Sequence, residues 1–167
     1  MGSGIPRIGE GIGIGTRVAV LGAGPIGLMI IVALRHVGVG TIIVSDLSAE
    51  RLSLAGRMGA DLTLNLKETD AATRLEAVRG ATDGVGPDLV LEAAGVPAAF
   101  EEGLAILRRG GRLIEVGHYF DSGTIALAPH TICHKEADVL GVWAYPPMQF
   151  ETALSLLERS SAPLEDL

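Results

Sequence analysis

Short apolar runs alternate along the chain with longer stretches of helical spacing. Arg17–Leu21, Thr41–Ser45, Leu62–Asn65, Leu89–Glu92, Arg112–Val116 and Val139–Trp143 are four or five residues each, rich in Val, Ile and Leu, and turn residues bound most of them. Between them, Pro25–Val37 carries Ile26, Ile30, Ala33, Leu34 and Val37 at helical intervals, and Gly38 and Gly40 end it. Ser48 is placed to cap a second helix over Ala49–Met58, with Glu50 in its first turn and Gly59 after it. A third helix is expected over Asp70–Arg79. A fourth, Pro97–Leu107, sets Phe100, Leu104 and Leu107 on one side. Pro146-Pro147 opens a last helix in which Phe150, Leu154 and Leu157 share a face. Residues 5–16 read as a lead-in loop, and His118–Ala137 as an irregular surface crossing.

Strands that alternate with helices imply a parallel sheet covered on both faces. Right-handed crossovers then favour one arrangement: an α/β, doubly wound, six-stranded parallel Rossmann sheet of order 3-2-1-4-5-6. A ligand is expected at the carboxyl edge, where strands 1 and 4 part.

The chemistry concentrates at the first turn. The run Val18–Leu21 meets Gly22, Gly24 and Gly27 at G-x-G-x-x-G spacing, and the first helix follows at once. Gly22 permits a sharp turn, Gly24 lets a pyrophosphate approach the main chain, and Gly27 lets helix and strand pack closely. Pro25 suits the first helical turn, where its missing N–H costs nothing. The helix N-terminus offers unpaired N–H groups and the positive dipole end to phosphate. Asp46 ends the second strand nineteen residues past Gly27, where an acid is expected to accept from both hydroxyls of an adenosine ribose and to repel a 2′-phosphate. These features predict a dinucleotide site with NAD as the cofactor.

Composition narrows the partners. Apolar residues make up 48% of the 167 and aromatics 4%, so the core is aliphatic and one domain of this length can bury it. The formal charge of −7 argues against a nucleic-acid partner and against docking on an anionic membrane. No run reaches the roughly 18 apolar residues of a membrane span, and no secretory signal opens the chain. Cys133 stands alone, which excludes an internal disulfide and fits a cytoplasmic protein. Met1–Gly4 has the composition of an expression scar, leaving 5–167 as a single dinucleotide-binding domain.

With these residues in hand, the chain resembles the cofactor domain of the medium-chain, zinc-dependent alcohol dehydrogenase family over roughly residues 15 to 160. Val20-Leu21-Gly22-Ala23-Gly24-Pro25-Ile26-Gly27-Leu28 is the most specific piece, and Asp46 and Arg51 follow it. Leu54–Asp61 is similar to the family's A-x-x-x-G-A stretch. Gly84–Asp88 leads to Glu92-Ala93-Ala94-Gly95; Gly110-Gly111-Arg112, Val116-Gly117, and Lys135-Glu136 before Gly141 complete the series. The resemblance implies a domain lifted from a two-domain enzyme that transfers a hydride between an alcohol or polyol and NAD, with zinc and the catalytic groups in the missing catalytic domain. It implies that Ile26 belongs to the nucleotide loop, that Arg51 reaches the adenosine ribose, and that Ala94 and Gly95 let the cofactor pass close to strand 4. It implies that Val116, Gly117 and His118 hold the nicotinamide carboxamide by their backbone. It also implies a twofold homodimer through the edge strand Val139–Trp143. On this reading no residue here is catalytic.

Two other readings were weighed. An S-adenosylmethionine methyltransferase also pairs a glycine loop with an acid ending strand 2, but Gly27 and the Pro25–Leu28 helix start argue against it. A stand-alone nucleotide-sensing module is disfavoured only by the family resemblance. His118, His130, Cys133 and His134 invite a metal, yet no spacing among them completes a four-ligand site, so none is expected. Glu68, Asp70, Glu101 and Glu102 read as solvated helix charges.

Overall fold

The computed structural model describes residues 12–144 and 146–166; the proposed scar and the first part of the lead-in lie outside the described residues. In chain order the elements are β1 (Arg17–Leu21), α1 (Pro25–His36), β2 (Thr41–Asp46), α2 (Ala49–Arg57), β3 (Leu62–Asn65), α3 (Ala71–Gly80), β4 (Leu89–Glu92), α4 (Pro97–Ile106), β5 (Arg112–Glu115), α5 (Pro129–Lys135), β6 (Asp138–Gly141) and α6 (Gln149–Arg159), with a 3-10 turn at Leu164–Asp166. The six strands form one sheet in the expected order β3-β2-β1-β4-β5-β6, and every pairing is parallel.

The strands are nearly continuously apolar because both faces of the sheet are covered. Val18, Val20, Ile42, Val44 and Leu91 pack on one face with Leu28 and Ile31 of α1 and Leu52 of α2. The intervening residues Ala19, Leu21, Ile43, Val90 and Leu113 pack on the other with Val78 of α3 and Leu104 of α4. Capping follows the side-chain chemistry: Ser48 Oγ accepts from the Arg51 N–H, and Asp70 accepts from the Thr73 N–H at 2.8 Å.

Four expectations need correction. The stripe read on α1 is rotated. Ile26 and Val37 are exposed, and Gly27, Leu28, Ile31, Val32 and Leu34 are buried. The helix is apolar almost all round, so hydrophobicity alone did not choose its inward face. Second, the 118–137 crossing contains α5, a seven-residue helix with no buried residue and hence no apolar stripe to announce it. Third, Phe150 and Leu154 of α6 are exposed; Leu156 is the residue that packs on the core. Edge strand β6 is also shorter than expected, ending at Gly141, and Trp143 is exposed.

Candidate functional site

The sheet order reverses direction between β1 and β4, and a cleft of about 1040 Å³ opens there at their carboxyl ends. Gly22, Gly24 and Pro25 form its floor, Asp46 and Arg51 one wall, and Ala94 the other. Gly22 has φ +102°, and a Cβ there would lie 2.8 Å from Ala94 N, so only glycine fits between the β1 turn and the β4 loop. A Cβ on Gly27 would clash with the Gly22 carbonyl oxygen, which fixes how closely α1 sits on the turn. Gly24 has nothing within 4 Å of where a side chain would begin, leaving open space beside the main chain.

The start of α1 is electrophilic. Leu28 N–H donates to Gly24 O at 2.9 Å, but the N–H groups of Gly24, Ile26 and Gly27 make no hydrogen bond among the described residues. Unpaired donors at the N-terminus of a 12-residue helix suit an anion.

Asp46 is held at the mouth of this loop. Its Oδ2 accepts from the Ala23 N–H at 2.7 Å and its Oδ1 from the Ser48 N–H at 2.8 Å. Asp46 is 9% exposed and lines the cleft. Arg51, Arg57, Lys67 and Arg74 line the same cleft. Arg57 pairs with Asp166, and Arg74 makes a two-pronged pair with Glu102, both bonds 2.7 Å. Arg51 and Lys67 line the cleft without an ion pair among the described residues. Glu102 is therefore not the solvated charge expected: it is partly buried, ties α4 to α3, and holds the Arg74 guanidinium more firmly protonated than usual.

Of the remaining predicted site residues, Ile26 and Gly27 do not line the cleft. Ile26 points to solvent, 54% exposed, and Gly27 is buried under the turn. Gly95, Val116, Gly117 and His118 form a second group beside the cleft. Gly95 has φ +70°, and a Cβ on it would lie 2.5 Å from Gly117 O, so the loops after β4 and β5 touch backbone to backbone.

Behind that contact lies a cluster the sequence reading missed. Glu92 and Glu115 end their strands in direct register. Glu92 is fully buried; its Oε1 accepts from the Ala94 and Gly95 N–H groups, each at 2.9 Å. Glu115 Oε1 accepts from the Gly117 and His118 N–H groups at 3.0 and 3.1 Å and lies 2.8 Å from His118 Nδ1. Burial first, and then the neighbouring Glu115, raise the Glu92 carboxyl to about 7. Glu115 is drawn below the usual range: burial pushes it up, but its bonds to Glu92 and His118 prevail. The bond to Glu115 raises His118 despite partial desolvation. The available signal was a polar residue at the end of each of two apolar strands; only the strand register brings the two together.

Among the described residues, Glu92, Glu115 and His118 form the single group able to gather round a metal ion. It does not suit zinc: the set is two carboxylates and one imidazole, and backbone N–H groups already occupy an oxygen of each carboxylate. The His130 and His134 rings stack on α5 at 5.5 Å, and the exposed Cys133 joins no ligand group with them.

Comparison with known proteins gives this cleft its context. Residues 25–159 match the profile of the zinc-binding dehydrogenases. The chain belongs to that family. It is 41% identical over 131 residues to the sorbitol dehydrogenase of Bacillus subtilis, covering 78% of this chain and 36% of that protein. It superposes on an alcohol dehydrogenase from Thermotoga maritima with a TM-score of 0.88 at 35% identity, over 93% of this chain and 42% of that one. A Sinorhizobium meliloti protein described as a zinc-binding dehydrogenase and solved bound to NADP gives a TM-score of 0.80 at 29% identity, over 93% and 44%. The chain thus spans about two fifths of the length of the relatives it matches, and they are alcohol and polyol dehydrogenases. The methyltransferase alternative finds no support among them.

Proposed function

We propose that the chain is the nucleotide-binding half of an NAD-dependent, zinc-type alcohol or polyol dehydrogenase. The observation that carries the reading is the pairing of two features across one cleft: unpaired N–H groups at the α1 N-terminus and the fixed Asp46 carboxylate. Residues 22–27 cradle the diphosphate, Asp46 accepts from the adenosine ribose, and Arg51 flanks it. The loops at Ala94-Gly95 and Val116–His118 back the nicotinamide. When bound, NAD supplies the hydride acceptor; the residues here bind and orient it and exclude water from one side. Zinc and the substrate-binding groups belong to the remainder of the full-length protein, and no step of the chemistry runs through a metal held here. The 167-residue chain alone is accordingly inactive.

A second nucleotide deserves a place in the test. Arg51 and Lys67 line the cleft with no ion pair among the described residues, which favours a 2′-phosphate, whereas Asp46 opposes one. Calorimetric titration with NAD, NADP and S-adenosylmethionine separates the readings. Saturable NAD binding, tighter than NADP, is expected. Binding of S-adenosylmethionine without NAD would reverse the assignment, and an equal response to NADP would remove the discriminating role from Asp46.

The domain also pairs with a second copy of itself through β6, in this proposal. β6 lies at the outer edge of the sheet, and Trp143, Met148, Phe150 and Leu154 beyond it are exposed. Unpaired strand edges and apolar surface both invite association.

A further inference from the structure

We propose that Glu92 and Glu115 are positioning residues: their carboxyl groups share one proton, with the His118 imidazolium as counter-ion, and this latch fixes the backbone of residues 94–95 and 117–118. The inference rests on the reading of the adjoining cleft as the NAD site for its effect on binding, but not for its own existence.

The geometry carries it in three steps. The two carboxyl groups are brought together by register, on the same face of adjacent parallel strands. Each then turns back on its own loop, Glu92 binding the N–H groups of Ala94 and Gly95, and Glu115 those of Gly117 and His118. Finally, Glu115 Oε2 is buried and has no hydrogen-bond partner among the described residues. A buried carboxylate oxygen without a donor is costly. Ligand atoms of Glu92, Glu115 and His118 lie within 4.8 Å of one another, so a proton on Glu92 offers Glu115 a donor and removes the repulsion of two buried anions.

The latch adjoins the binding surface. Ala93 and Ala94 line the cleft, and Gly22 of the phosphate loop packs on the same segment. A loosened Glu92 therefore shifts the wall that the cofactor meets.

Few other charges act on the cluster. At the same register β1 and β6 present Leu21 and Gly141. α4 carries exposed Glu101, and Glu102 which Arg74 engages; Tyr119 and Asp121 follow His118 and are exposed. The direction with pH follows. Glu92 and His118 bind protons more tightly in the folded chain, so their stabilisation is full at low pH and is lost as pH rises through their raised values, about 7 for Glu92. Glu115 contributes above the ordinary carboxylate value and loses its contribution only as pH falls through its lowered one. The latch is closed under mildly acidic to neutral conditions and opens in base.

Glu92→Gln tests the shared proton, because an amide copies the protonated acid: its NH2 donates to Glu115 Oε2 and its oxygen accepts from Ala94 and Gly95. NAD affinity of the parent should fall severalfold, roughly three- to tenfold, between about pH 6 and pH 8.5. Glu92→Gln should match the parent at the lower pH within about twofold and lose most of that fall. Glu115→Gln should weaken binding at both pH values and return the His118 imidazole titration, followed by NMR, towards its ordinary value. Glu92→Gln binding as poorly as Glu92→Ala at the lower pH would overturn the proposal, as would an unchanged His118 titration in Glu115→Gln. So would a His118 resonance that shifts on adding stoichiometric Zn²⁺, since a cation would then occupy the proton's place. If the parent binds no NAD, the cleft assignment fails by itself. The His118 titration and the melting temperature of Glu92→Gln against the parent across the same pH range still decide the latch.

Discussion

At the scale of single residues, Asp46 has two tasks. It accepts from Ala23 and Ser48, which holds the phosphate loop against the start of α2, and it lines the cleft. Asp46→Ala removes both, and charge-assisted hydrogen bonds are worth about 1.5–3 kcal/mol each. NAD affinity should fall by roughly 10- to 100-fold, and the ratio of NAD to NADP affinity should move towards one, measured by titration under the same salt. A variant that binds NAD as tightly as the parent would place the ribose elsewhere. The placement of Asp46 beside the glycine turn was legible in the sequence, because motif spacing and strand pattern both point there. Glu92 and Glu115 carry no such signal, since each is a lone acid ending an apolar strand. Their meaning is a register contact between strands more than twenty residues apart, which spacing along the chain does not encode.

At the scale of elements, every strand and five of the six helices could be read from apolar runs, caps and turn residues. The exceptions have physical reasons. α5 is short and buries nothing, so periodicity had no signal to give; what it contributes is Lys135, whose Nζ donates to the Ala105 and Leu107 carbonyls at the end of α4. Burial lowers the Lys135 ammonium from its ordinary value, with Arg79 adding to the shift. On α1 the helix was legible but its inward face was not. Ile31→Ala should cost about 2–5 kcal/mol of unfolding free energy in urea melts, as for fully buried aliphatics. Ile26→Ala, at a half-exposed position, should cost below about 1 kcal/mol. A larger cost for Ile26→Ala than for Ile31→Ala would return the helix to the orientation expected from the sequence.

At the scale of the whole molecule, the sheet order was legible because alternation of strands with helices and the handedness of crossovers leave few arrangements. The same order already put the sixth strand at an edge, and the twofold dimer expected there remains a proposal. If β6 pairs with its symmetry mate, light scattering should give twice the chain mass at micromolar concentration. A charged substitution at the exposed end of that edge, Gly141→Lys, where a side chain meets nothing within 4 Å, should return the monomer without abolishing the cooperative melt. A monomeric parent at high concentration would remove the dimer from the account. The central claim concerns the cleft itself, and a crystal of the chain soaked with NAD tests it most directly. The account predicts the diphosphate against the Gly22–Pro25 turn at the N-terminus of α1 and the adenosine ribose within hydrogen-bonding distance of Asp46. A cleft still empty at saturating NAD, or a nucleotide bound away from both, would contradict it.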